Sequence, residues 1–255
     1  MKNAAIKILK KVGLYSFIKR FQLFAQADSR KTMSLYRPLI SRGDLCFDIG
    51  ANMGARTEIF LALGAKVIAV EPQSRCAHYI QSHFVDGFSN PQTTVVQKAL
   101  SDREGIAKIS LSKDTTVVAT MSEAWRTKGR FAGEFSWDSY ETVQTTTLDT
   151  LIKTYGTPSF CKIDVEGYEE EVIRGLTQII PHISFEFTSE FLDVAERILV
   201  RLATLGTVTC NYSIGESHSL ALEKWVTPSE VISSIKKESI PNIWGDLYVS
   251  TTRQK

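Results

Sequence analysis

The residues best suited to chemistry fall in two stretches, each where an apolar run gives way to polar residues. In the first, Phe47-Asp48-Ile49-Gly50-Ala51-Asn52-Met53-Gly54 leads from a strand-like run into a helical pattern. Glycines at such a junction let the backbone turn sharply and let a ligand approach the helix N-terminus. The spacing is Gly50-x-x-x-Gly54, and Asn52 stands where a dinucleotide fold needs a glycine against its pyrophosphate. That argues against NAD or FAD. Asp48 would repel phosphates but suits an ammonium, directly or through water; the alternative is a carboxylate satisfying loop N–H groups. Glu71, in Val70-Glu71-Pro72, lies about 20 residues further on, where an acid can accept both hydroxyls of a ribose. An adenosine-type ligand with an ammonium and no pyrophosphate fits these residues, and S-adenosylmethionine is one. The cofactor candidates are Asp48, Gly50, Ala51, Asn52, Gly54, Glu71 and Pro72. Leu100 and Ser101 join them on topology alone, in the loop expected to flank the adenine.

The second stretch is Lys162-Ile163-Asp164-Val165-Glu166-Gly167. Residues two apart share a strand face, so Lys162, Asp164 and Glu166 are expected on one side. Charges entering an apolar strand are costly unless they pair or work. A buried Lys–Asp pair that fixes the loop is the plain reading, and it is compatible with a catalytic one. Asp164 is the first candidate for a base, Glu166 the second, with Lys162 orienting Asp164. Glu186, ending Ile183-Ser184-Phe185-Glu186, can bond acceptor hydroxyls. The oxygens of Asp164, Glu166 and Glu186 also suit magnesium, but such carboxylates are too common there to favour a metal. The histidines (His78, His83, His182, His218) show no ligand spacing.

These residues need strands and helices to hold them, and the pattern supplies them. Strands are expected at Leu45–Ile49, Val67–Val70 and Thr93–Gln97, with helices at Ala55–Leu63 and Ser74–Phe84 between them. That alternation predicts a doubly wound, mostly parallel sheet. Ala107–Leu111 alternates like an antiparallel strand, with Thr142–Thr146 its partner or a neighbour, and between them lies a polar stretch with Trp125, Phe131, Phe135, Trp137 and Tyr140. Those aromatics form either an acceptor wall, which could close as a lid, or a small satellite core. The alternation resumes with a helix from Leu148, a strand at Phe160–Asp164, a helix over Tyr168–Leu176, a strand at Ile183–Phe187 and a helix over Glu190–Leu205. Val208–Tyr212 and Asp246–Ser250 are the last strand candidates.

Composition sets the limits. With 255 residues, 43% hydrophobic and 23% charged, the chain can bury one α/β core. A net charge of +2 gives no case for nucleic acid. Residues 1–31 are basic and amphipathic, a surface for an anionic membrane or another subunit, while residues 41–255 are expected to form the main domain after a helical segment over 1–40. The four scattered cysteines point to reduced thiols in a cytoplasmic protein, and no run of 18 apolar residues suggests a membrane span.

Asp48-Ile49-Gly50-Ala51-Asn52-x-Gly54, Val70-Glu71-Pro72, Thr147-Leu148-Asp149 and Lys162-Ile163-Asp164-Val165-Glu166-Gly167-x-Glu169, in that order, resemble the FkbM family of methyltransferases. The resemblance runs from about Leu45 to Phe187. It implies a Rossmann-like class I methyltransferase with an inserted antiparallel and loop region. It also implies S-adenosylmethionine-dependent O-methylation of a hydroxyl on a sugar, glycan, glycolipid or natural product. Asp48, Gly50, Asn52, Gly54 and Glu71 would hold the cofactor, with Asp164 and Glu166 at the active centre. An RNA or protein acceptor, or a catalytically silent homologue, are the alternatives. The intact acids argue against the last.

Overall fold

The computed structural model describes residues 29–87, 92–112, 119–130, 132, 136–137 and 139–253. The helix expected over Ala4–Gln26 lies outside them, as do Phe131 and Phe135. Residues 29–36 are helical (α1) and lead through a turn to β1 (Leu45–Ile49). Next come α2 (Ala55–Ala62), β2 (Lys66–Val70), α3 (Ser74–Ile80) and β3 (Thr93–Val96). The excursion holds β4 (Ala99–Leu100), β5 (Gly105–Leu111), α4 (Glu123–Lys128) and β6 (Ser139–Thr146). Then α5 (Leu148–Tyr155), β7 (Phe160–Ile163), α6 (Glu169–Arg174) and β8 (His182–Thr188) restore the alternation. The chain continues through α7 (Leu192–Ala203), β9 (Thr207–Ile214), α8 (Pro228–Lys237) and β10 (Trp244–Thr252).

The main sheet has the order β3-β2-β1-β7-β8-β10-β9. Neighbours from β3 to β8 are parallel, and β10 runs antiparallel between β8 and β9. In the excursion β6 is the partner of β5 and not merely a neighbour: β5 lies antiparallel to it in a separate sheet of order β4-β6-β5.

Alternation along the central strands produces two unlike faces. Phe47 and Ile49, Cys161 and Ile163, and Phe185 and Phe187 point into one large apolar core with α5, α6, α7 and α8. The other face carries a row of polar groups across four strands, with Asp48, Lys162 and Ser184 buried and Asp246 partly so, beside a second apolar cluster. There Tyr36 meets Phe60 and Phe160 edge-on, with ring centres 5.1 and 5.3 Å apart. Such pairs add about 0.5–1.5 kcal/mol each beyond burial. Residues 35–40, expected to precede the domain, are thus part of its core through Leu35, Tyr36 and Ile40.

Two helices differ from expectation. The pattern over Ser74–Phe84 continues, but from Gln81 to Gly87 as a wider π turn that carries Phe84 inward. The helix α8 falls where no element is expected. Thr227 and Glu230 close a capping box on it, with Pro228 in its first turn.

Candidate active site

The ends of β1 and β7 meet at Gly50, whose φ is +78°. A Cβ there would lie 1.8 Å from the Asp164 carbonyl oxygen, so only glycine permits the approach. Hydrogen bonds hold the junction: Asp164 N–H donates to the Ile49 oxygen (2.9 Å), and Gly50 N–H to the Val70 oxygen (2.9 Å). Asn52 then adopts a left-handed φ of +47°, which asparagine tolerates well. This turns the Asn52 N–H toward Glu71 Oε2 at 2.8 Å. Gln73 N–H donates to the other oxygen, Oε1, also at 2.8 Å. Glu71 is therefore clamped by one backbone donor per oxygen, with a further bond from the Gln73 side chain. Burial pushes its carboxyl up to about 7, against the bonds from Gln73 and Asn52, which favour the charged form.

The clamp faces a cleft of about 660 Å³ counted to its open mouth. Ile49, Val70, Leu100 and Ile109 make it apolar, while Glu71 and Asn52 supply polar groups on one wall. Gly50, Pro72, Asp164 and Glu166 also line it, as expected of candidate site residues. Asp48, Ala51, Gly54 and Ser101 do not. Asp48 is 2% exposed, and its Oδ2 accepts from Thr57 Oγ1 at 2.6 Å. It lies beneath the loop because strand alternation aims it at the polar face with Lys162. Burial raises its pKa, opposed by Thr57 and then Lys162. Gly54 lies under the ring of Phe84, and Ser101 bonds Asp102 Oδ1 at 3.1 Å.

At the far end of the cleft the loop after β7 is tightly bound. Glu166 has φ +54° and Gly167 φ +84°, successive left-handed residues. Glu169 Oε1 accepts from Val165 N–H (3.1 Å) and Gly167 N–H (3.2 Å), and the Glu166 carbonyl accepts from Thr120 Oγ1 (2.6 Å). This turn brings one carboxylate oxygen each of Asp164, Glu166 and Glu186 within 4.8 Å of one another. Burial, then the Asp164 charge and other nearby carboxylates, pushes both Glu166 and Glu186 well above the usual range. Lys162, only 1% exposed, sits behind Asp164 with Nζ at 3.2 Å from Oδ2 and at 2.9 Å from Asp246 Oδ1. Burial would lower its pKa, but Asp164 and Asp246 outweigh that and hold it charged. The Lys–Asp pair expected from the sequence is therefore a triad with Asp246.

Residues of the excursion that sequence patterns did not single out close the site. Ala119, Thr120 and Met121 line the cleft, held by the bridge between Ser110 and Thr120. Among the insert aromatics, Trp125 is buried against Gly167 and Phe191. Tyr140 instead faces solvent, with Lys108 Nζ 4.4 Å above its ring.

The chain matches the Methyltransferase FkbM domain family over residues 48–227. It resembles solved structures only distantly. An O-methyltransferase from Bacillus cereus in complex with SAH shares 12% identity at a TM-score of 0.46, over 98% of this chain and 97% of that one. A precorrin-6y C5,15-methyltransferase from Geobacter metallireducens shares 14% identity at a TM-score of 0.43, over 88% and 87%. A putative RNA methyltransferase from Pyrococcus horikoshii shares 11% at a TM-score of 0.43, over 88% and 83%. None of these likenesses bears on the acceptor. No curated protein matches the chain.

Proposed function

The chain belongs to the FkbM methyltransferase family, and from that membership we propose that it transfers a methyl group from S-adenosylmethionine to an alcohol oxygen, with Asp164 as the base. The observation that carries this reading is the carboxylate cluster of Asp164, Glu166 and Glu186, two of which line the same cleft as the clamped Glu71.

The cleft's residues fit the donor. Glu71, held in the cleft wall by backbone donors, is placed to accept ribose hydroxyls, and the walls of Ile49, Val70, Leu100 and Ile109 suit a flat adenine. Nothing in the loop resembles a pyrophosphate cradle, since Asn52 offers its N–H to Glu71. Asp48, 2% exposed and bonded to Thr57, supports the loop from beneath rather than reaching the ammonium directly. Bound here, S-adenosylmethionine supplies an electrophilic methyl whose bond to sulfur breaks with the electron pair leaving on sulfur.

The protein's part is alignment and proton transfer. Rigid strand ends fix the approach of the acceptor oxygen, and alignment alone can contribute about 7–11 kcal/mol. Asp164 takes the hydroxyl proton as the oxygen bonds to the methyl carbon, a role worth about 10²–10⁴ in rate. Of the three acids it is the one with the Lys162 ammonium at 3.2 Å. Glu166 and Glu186, shifted toward their protonated forms, donate as well as accept hydrogen bonds and so hold neighbouring hydroxyls.

Methyl-labelled S-adenosylmethionine offered to the full chain with a mixture of hydroxylated small molecules tests this. Label should appear as an alkali-stable ether, and Asp164→Asn should lose about 10²-fold or more in transfer while still binding S-adenosylhomocysteine. Label on nitrogen or in an alkali-labile ester, or full transfer by Asp164→Asn, would overturn the reading.

A further inference from the structure

Asp246 is a mostly buried charge that the proposed reaction does not use. It lies on β10, beyond the residues 48–227 that match the family, so family membership assigns it nothing. The backbone fixes its place. Gly245, just before it, runs so close to β9 that an added Cβ would fall 1.9 Å from the Ser213 carbonyl oxygen, and β10 is paired on both sides, with β8 and β9. Asp246 thereby stands directly opposite Glu186 of β8. Acids facing each other across strands destabilise a sheet, and a buried carboxylate is costly unless it is paired. Burial would raise the Asp246 pKa, but Lys162 and then Arg56 outweigh that and hold it below the usual carboxylate range. Proteins keep such local conflicts mainly where function needs them.

What Asp246 touches is the lysine behind the base. Lys162 belongs to β7 and reaches over β8, where its neighbour in register is the small Ser184. Its Nζ donates to Asp246 Oδ1 at 2.9 Å and to the Ile163 carbonyl at 3.4 Å. Asp164 Oδ2 meets the same ammonium as an ion contact at 3.2 Å. The shorter, directional bond is therefore the one to Asp246, and charge-assisted bonds of that kind are the strong ones. With Asp164 as its one carboxylate, the ammonium would close onto it and occupy an oxygen that must receive the proton. Sharing the ammonium holds Asp164 in place without tying it up. Its side chain keeps 42% of its surface exposed, against 1% for Lys162.

We propose that Asp246 is a positioning residue for methyl transfer: it takes up the Lys162 ammonium from across the sheet, so that Asp164 is oriented by that charge yet open to the acceptor's proton. The proposal rests on Asp164 being the base.

A double-mutant cycle on the full chain tests it, reading methyl-ether formation from labelled S-adenosylmethionine with the same mixture of hydroxylated small molecules. Asp246→Asn keeps the size and an acceptor oxygen but removes the charge. It should lower the rate at saturating S-adenosylmethionine about tenfold or more. The KM for S-adenosylmethionine and the affinity for S-adenosylhomocysteine, which also reports folding, should stay within about threefold. In an Asp164→Asn background the same change should cost less than about threefold, because the group it positions is gone. Should Asp246→Asn fail to fold, Lys162→Gln combined with Asp246→Asn removes both charges together and should match Lys162→Gln alone. Should the mixture contain no acceptor, the NMR signal of the Lys162 ammonium, identified by its absence from Lys162→Gln, decides: Asp246→Asn should shift it more than Asp164→Asn does. An equal loss in both backgrounds, a raised KM in place of a lowered rate, a combined variant well below Lys162→Gln, or the reverse order of NMR shifts overturns the proposal. Asp164→Asn as active as the wild type would instead remove the base assignment on which it rests.

Discussion

Replacing Gly50 with alanine should damage the site more than any other single-methyl change at the loop. At φ +78° a Cβ brings left-handed strain of about 1–2 kcal/mol. The same Cβ would lie 1.8 Å from the Asp164 carbonyl oxygen, where real contacts do not fall below 3.0 Å. The ends of β1 and β7 must then part by more than an ångström, adding about 1–3 kcal/mol of overpacking. Gly43 is the control, because its φ is +90° but nothing lies within 4 Å of an added Cβ. Gly43→Ala should therefore cost strain alone and lower Tm by roughly 2–8 °C, at about 2–4 °C per kcal/mol. Gly50→Ala should lower it by roughly 4–20 °C and, by displacing Asp164 from Glu71, reduce methyl transfer about 10²-fold. Differential scanning calorimetry and labelled-methyl transfer measure the two effects. If Gly50→Ala resembles Gly43→Ala in both, the close approach of β1 and β7 does not set the site's geometry.

Other perturbations probe the buried charges. Lys162→Met leaves Asp246 without its ammonium and should cost about 3–5 kcal/mol in urea unfolding; a loss below about 1 kcal/mol would mean the triad is a solvent-screened pair. Glu71, pushed up to about 7 by burial, is half-protonated near neutral pH before the donor binds. Since ribose hydroxyls favour its charged form, S-adenosylhomocysteine affinity should fall by up to about tenfold per unit below pH 7 and level off above it, whereas a flat profile from pH 6 to 8 would show that Glu71 does not titrate on binding. The same raised value has the opposite sense for stability. Glu71's contribution is fully present below the unfolded value near 4.5 and is lost as pH rises through about 7, which pH-dependent unfolding of the wild type against Glu71→Gln measures. Thr57→Val removes the hydroxyl that bonds the buried Asp48 and should cost about 1–3 kcal/mol in thermal unfolding.

Much of the fold is legible because strand and helix periods differ and glycine marks the junctions. Leu45–Ile49 is read to the residue, and β5 and β6 pair as their alternation suggests. The nearness of Asp164, Glu166 and Glu186 follows from their places at the ends of adjacent parallel strands. Local patterns hide three things. Asp48 looks ligand-facing at a strand end, yet alternation aims it at the polar face, where Thr57 meets it. The helix α8 is weakly apolar, but Thr227-Pro228-Ser229-Glu230 carries a capping signal stronger than its periodicity. The third is a small polar pocket bordered by Thr32, Arg56, Glu216 and Trp244, residues brought together from separate elements by long-range packing. Thr120 likewise reaches the cleft through long-range bonds to Ser110 and Glu166.

The central claim is that the methyl donor sits in the cleft between β1, β2 and β7 with its ribose on Glu71. Calorimetric titration of the full chain with S-adenosylhomocysteine tests it most directly. The account predicts saturable one-site binding that Glu71→Ala weakens at least about tenfold, since bonds to a charged acceptor are worth about 1.5–3 kcal/mol each. Absence of binding, or equal affinity in wild type and Glu71→Ala, would contradict it.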